Sequence, residues 1–304
     1  MKRVVAAVAV LISLCAVAVA QGVVVQEFSF QLKDVKPDGR YTVKFDSRSY
    51  DPSGGIPDEL TSNYIRLPKG AVIRKQFLSP KYYCDLKKLV DMLRTNHPNA
   101  PHFDQLIKQT LKGKRTAPKN AKNLIATCRF AHVGSGTVLV DARPFEARPI
   151  PAFLEMFWTK PSAGAVATFA IVGIPDENAP VVKENATIRN TQPIVNVNFV
   201  DDPTPDGLYQ YKIVLPTGPV NGIRISVAEV HVTTQGLTLT KKKSACAKKK
   251  KGKCTKRKVK KTNLFWFTKP TCPPSGQISF EAFYGYAASP PQNKTIQIPC
   301  PKFS

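Results

Sequence analysis

An all-β fold, a sandwich of the immunoglobulin-like or jelly-roll type carrying one short helical insertion, is what this 304-residue sequence predicts. Three observations predict it. Apolar and polar residues alternate with period two in run after run, the pattern of strands with one buried face. Proline, at 26 residues, exceeds its usual share of about 5% and recurs between the apolar runs. Beyond the first twenty positions the cysteines number six, an even count that reads as a disulfide framework in an exported chain.

The chain opens MKRVVAAVAVLISLCAVAVAQG. Lys2 and Arg3 precede an apolar run from Val4 to Ala20, and Ala18-Val19-Ala20 is a small-x-small cleavage site before Gln21. This is the layout of a secretory signal peptide. Residues 1–20 are therefore read as the signal and 21–304 as the mature β domain, with no transmembrane span after cleavage. The expected location is extracytoplasmic, either secreted or in the cell envelope.

The strands follow in order. FSFQLKDV places Phe28, Phe30 and Leu32 on one face, and YTVKF does the same with Tyr41, Val43 and Phe45. IVNVNFV sets Val195, Val197 and Phe199 against asparagines, and LYQYKIVLP sets Tyr209, Tyr211 and Ile213 against Gln210 and Lys212. Three runs are apolar on both faces and read as central strands: AFLEMFW (152–158), AVATFAIVGI (165–174) and NLFWF (263–267). LPKG (67–70) and LPTG (215–218) read as strand-to-turn junctions, and the proline-rich stretch 141–152 is a possible seam. One region departs from period two. Leu86, Leu89, Val90 and Leu93, and then Phe103, Leu106, Ile107 and Leu111, hold helical spacing, which places the insertion at about 85–112.

The six cysteines are Cys84, Cys128, Cys246, Cys254, Cys272 and Cys300. They allow fifteen pairings, among which sequence does not choose. Nearest neighbours, Cys84–Cys128, Cys246–Cys254 and Cys272–Cys300, are the simplest. Zinc is disfavoured: no C-x-x-C occurs and the four histidines are not at finger spacing from the cysteines.

IRLPKGAVI (65–73), the isolated Cys84, TCRFAHVGSGTV (127–138) and the closing LFWFTKPTCPPSGQISFEAFYGY…IQIPC (264–300) follow one another in an order that resembles a group of uncharacterised secreted β-rich proteins of actinobacteria. The resemblance covers roughly residues 60–304. It implies export, a β fold and a terminal Cys272–Cys300 pair, and it carries no activity. The long stretch between Cys84 and Cys128 departs from that pattern.

Catalytic motifs are wanting. Gly134-Ser135-Gly136 lacks the G-x-S-x-G spacing of a nucleophile elbow and reads as a tight turn entering a strand. No phosphate-binding loop occurs, and nothing calls for a cofactor or a metal. The one enzyme class left to weigh is a carbohydrate-active sandwich using Glu155 and Glu281, each a lone acid in an aromatic-rich strand. Retaining hydrolysis would need these carboxyls about 5 Å apart.

The strongest signal is charge. KKKSACAKKKKGKCTKRKVKK (241–261) holds thirteen Lys or Arg and no acid, within a formal net charge of +24. The expectation is an exposed loop between strands, drawn out by self-repulsion and clipped by Cys246 and Cys254. Lys248, Lys249, Lys250, Lys251, Lys253, Lys256 and Arg257 are the candidate anion-binding residues. The matching partners are extracellular or cell-wall polyanions. Without interleaved aromatics the block does not support base stacking or sequence-specific nucleic-acid recognition. The function expected is that of a secreted, non-enzymatic, envelope-associated binding protein.

Overall fold

The computed structural model describes residues 24–33, 41–85, 128, 130–176, 178–190, 193–218, 226–234, 238–250, 253–265, 268 and 270–300. The signal segment lies outside them, as does the helical insertion apart from Asp85. Thirteen strands are described: β1 (Val25–Lys33), β2 (Thr42–Tyr50), β3 (Leu60–Pro68), β4 (His132–Ala142), β5 (Glu146–Thr159), β6 (Ala167–Pro175), β7 (Ile194–Asp201), β8 (Tyr209–Val214), β9 (Ser226–Thr234), β10 (Thr238–Lys250), β11 (Lys253–Phe265), β12 (Gln277–Tyr286) and β13 (Gln292–Pro299). Two short helices, α1 (Pro180–Glu184) and α2 (Ala186–Asn190), separate β6 from β7. The protein is all-β, as its alternation predicts.

Eleven strands form one antiparallel sheet in the order β1-β2-β9-β4-β5-β6-β7-β8-β3-β12-β13. The sheet curls until its ends meet. Gln292 Nε2 on β13 donates to the carbonyl of Val24 beside β1 at 2.6 Å, and Tyr286 on β12 donates to Gln26 Oε1 on β1 at 3.2 Å. The rings of Phe30 on β1 and Phe280 on β12 stack with centroids 3.8 Å apart. The facing layers expected of a sandwich are thus opposite walls of a single, nearly closed barrel. Near-closure covers the edge strands that would otherwise expose unpaired backbone groups.

The period-two residues point as the pattern requires. Phe30 pairs with Phe45, and Phe45 with Val232, so these inward side chains form one band across three strands. β5 is buried continuously from Leu154 to Trp158 and β6 at every position but Ile171, matching runs that are apolar on both faces except at Glu155 and Thr168. At one end of the barrel the segments following β3 and preceding β12 bond to each other: Val72 N donates to Thr268 Oγ1 at 2.8 Å and Thr271 N to the Lys69 carbonyl at 2.7 Å. Phe77 is wholly buried there. At the other end Val181, Val182 and Ile188 of the helices pack on Ala142 and Ile150. Two disulfides lie wholly among the described residues, Cys84–Cys128 with Cα atoms 5.3 Å apart and Cys272–Cys300 at 5.8 Å. Both follow the nearest-neighbour scheme.

Two expectations change. NLFWF does not supply a central strand: its described part, Asn263–Phe265, ends β11 and pairs with β10. Apolar composition marks a strand but does not say which neighbour it takes. Gly134-Ser135-Gly136 is not a turn but lies inside β4, where β4 and β9 approach closely. A Cβ on Gly134 would stand 2.6 Å from the Thr233 carbonyl oxygen, and one on Gly136 would collide with that of His231. The stretch 141–152 forms the β4–β5 hairpin, with both strands in the same sheet. LPKG and LPTG do fall where strands end, with Gly70 at φ 81° and Gly218 at φ 100°.

Candidate functional site

The basic stretch is a β-hairpin rather than a loop. β10 and β11 pair antiparallel from Thr238↔Phe265 to Lys250↔Lys253 and form a two-stranded sheet separate from the barrel. Register shifts between Cys246 and Lys249 bend the ladder near the tip. The register sets Lys242 opposite Lys261, Lys243 opposite Lys260, Lys248 opposite Lys256 and Lys250 opposite Lys253. Like charges at directly opposed positions destabilise a ribbon. Lys249 faces Cys254, and Cys246 faces Arg257. Lys251 lies outside the described residues. Cys246 is exposed and disulfide-bonded, and the side chain of Cys254 lies outside the described residues.

The two glutamates do not share a site. β5, with Glu155, and β12, with Glu281, are five steps apart in the eleven-stranded sheet, on opposite walls of a barrel roughly 17 Å across at about 4.8 Å per strand, and neither glutamate lines the lumen. Both known glycosidase spacings fall below about 10 Å. Glu281 accepts from Arg66 Nη1 at 2.7 Å, and Arg66 Nε donates to Asp202 at 2.7 Å. Glu155 is 1% exposed and bonds through Oε2 to His132 Nε2 at 2.7 Å. Burial pushes its carboxyl above the usual range, and the His132 contact offsets only part of that. Its Oε1 has no hydrogen-bond partner.

Inside the barrel the alternating side chains leave a cavity of about 340 Å³. Its lining runs from Phe145 and Pro216, both exposed, to Pro68 and Pro270, so it extends along the barrel and opens near the β4–β5 turn. None of the residues lining it is charged. Most of the polar ones, Gln26, Ser47, Ser49, Asn63 and Tyr284, gather on the wall where the sheet closes. Gln26 Nε2 donates to Ser47 Oγ at 2.7 Å, and Ser47 Oγ lies 3.3 Å from the Tyr284 hydroxyl. Burial pushes Tyr284 up to about 12, so its hydroxyl stays neutral. Asn63 lines the same wall, and its buried Oδ1 has no hydrogen-bond partner.

Sequence reasoning treated the inward residues as solid core and missed this space. The signal lay in side-chain size. The inward positions of β2 read Val43, Phe45, Ser47, Ser49, and those of β6 read Phe169, Ile171, Gly173, Pro175. Both series shrink toward the same end of the barrel. No protein-family model, curated protein or solved structure matches the chain.

Proposed function

We propose that this is an exported, non-enzymatic binding protein of the extracellular space or cell envelope, which docks on anionic polymers through the β10–β11 hairpin. The observation that carries the reading is the hairpin's register. Four lysine pairs directly oppose one another in a ribbon outside the main sheet. A ribbon built this way is frustrated alone and relaxes when a polyanion neutralises both strands together. Wall phosphopolymers and acidic polysaccharides are the chemistry that fits. The disulfides, and the lack among the described residues of any helix long and apolar enough to cross a membrane, accord with that setting.

Attraction of this kind rests on point charges and counterion release, so it weakens steeply with salt. Deleting 241–261 is expected to abolish retention on heparin or phosphocellulose while leaving the circular-dichroism spectrum of the barrel in place, because the hairpin contributes no strand to that sheet. Equal retention by wild type and deletion variant would refute the reading.

A further inference from the structure

We infer that the barrel lumen is a second binding site, for a neutral single-chain amphiphile: an unbranched alkyl chain carrying one uncharged hydrogen-bond donor, as in a long-chain alcohol or a monoacylglycerol. This site is separate from the hairpin and does not depend on the hairpin's role.

Size and shape argue for the chain. Small-molecule sites occupy about 300–1,000 Å³, and the lumen falls within that range at about 340 Å³. A cavity of about 150 Å³ lined by Leu, Ile and Phe already stays dry and takes benzene. Here the inward residues of β5 from Ile150 to Met156 all line the space, a run of about 20 Å at roughly 3.3 Å per residue. The volume is therefore long and slender, which suits an extended chain better than a compact ring system.

Polarity argues for the head group. Most of the wall is apolar. On the closing wall Gln26, Ser47 and Tyr284 satisfy one another, while Asn63, also a lining residue, keeps its Oδ1 buried just behind the cavity surface with no partner. An orphaned buried acceptor is rare and calls for a donor. A hydroxyl supplies one. A carboxylate does not, and no lining residue carries a positive charge to hold it.

The test uses the full mature chain and tryptophan fluorescence. Trp158 is wholly buried and in ring contact with Phe169 and Phe199, both of which line the lumen. The only other tryptophan is Trp266, removed by Trp266→Phe. In that background 12-bromo-1-dodecanol should quench Trp158 saturably at one-to-one stoichiometry. On wild-type protein, native mass spectrometry should show one bound 1-dodecanol. Dodecyl methyl ether and dodecanoate at pH 8 should each bind at least tenfold more weakly. Asn63→Leu should erase the preference for alcohol over ether, and Ala152→Phe, which places a ring in the lumen, should abolish quenching. Quenching that never saturates, alcohol and ether binding equally to wild type, or dodecanoate binding as tightly as dodecanol would each overturn the assignment. The comparison of ligands on wild type decides it even if a variant fails to fold.

Discussion

At the scale of single residues, the least expected group is Glu155. A carboxyl 1% exposed on the face of β5 opposite the lumen is held by one histidine, His132 on the neighbouring strand. Removing one partner of such a pair costs far more than replacing both with apolar groups. His132→Ala leaves Glu155 Oε2 buried without a donor and should lower the unfolding free energy by about 1–3 kcal/mol. The joint exchange of His132→Leu with Glu155→Leu should recover most of that loss. Urea titration of the three proteins checks this, and a His132→Ala protein as stable as wild type would contradict it. Glu155 was visible in the sequence as a lone acid among aromatics. Its partner was not, because His132 and Glu155 are 23 positions apart and meet only through the bulge in the β4–β5 pairing.

Among the elements, the basic hairpin departs most from expectation. Self-repulsion among lysines argued for an extended loop, yet Thr238–Lys250 and Lys253–Phe265 form a paired ribbon. The flanking sequence accounts for this: the TLT opening β10 and the NLF closing β11 are strand-forming and pair with each other, which carries the ladder outward into the charged part. Exchanging Lys242 and Lys243 for Glu would turn two like-charge oppositions into opposite-charge ones. The ribbon should gain about 0.2–1 kcal/mol per pair, read as slower amide exchange in 253–265. Elution from heparin should at the same time move to lower salt. An unchanged elution position would separate those lysines from polyanion binding. The composition of this element was fully legible from the chain. Its register, and with it the set of opposed lysines, was not.

For the whole molecule, the decisive event is closure. β1 and β13 come from opposite ends of the described chain; Gln292 on β13 bonds the Val24 carbonyl beside β1, and next to that seam Phe30 and Gln26 of β1 meet Phe280 and Tyr286 of β12. Phe280 is 3% exposed, so Phe280→Ala should cost about 3–5 kcal/mol. Leu208→Ala, at a position 47% exposed, should stay within about 0.5 kcal/mol of wild type. Equal effects in urea unfolding would mean that the seam does not hold the barrel together.

The alternating strands, the doubly buried runs of β5 and β6, the even cysteine count and the charge block were written in the chain. Each depends on residues close in sequence: alternation across four to eight positions, a local run of lysines, an even cysteine count. Neighbour relations were not. β2 lies beside β9, and β3 lies between β8 and β12, across separations that no local pattern encodes. Only those long-range pairings curve eleven strands into one wall, set Glu155 far from Glu281, and leave small inward side chains facing a space that none of them fills. Period two tells a side chain which face it is on; tertiary structure decides what stands opposite.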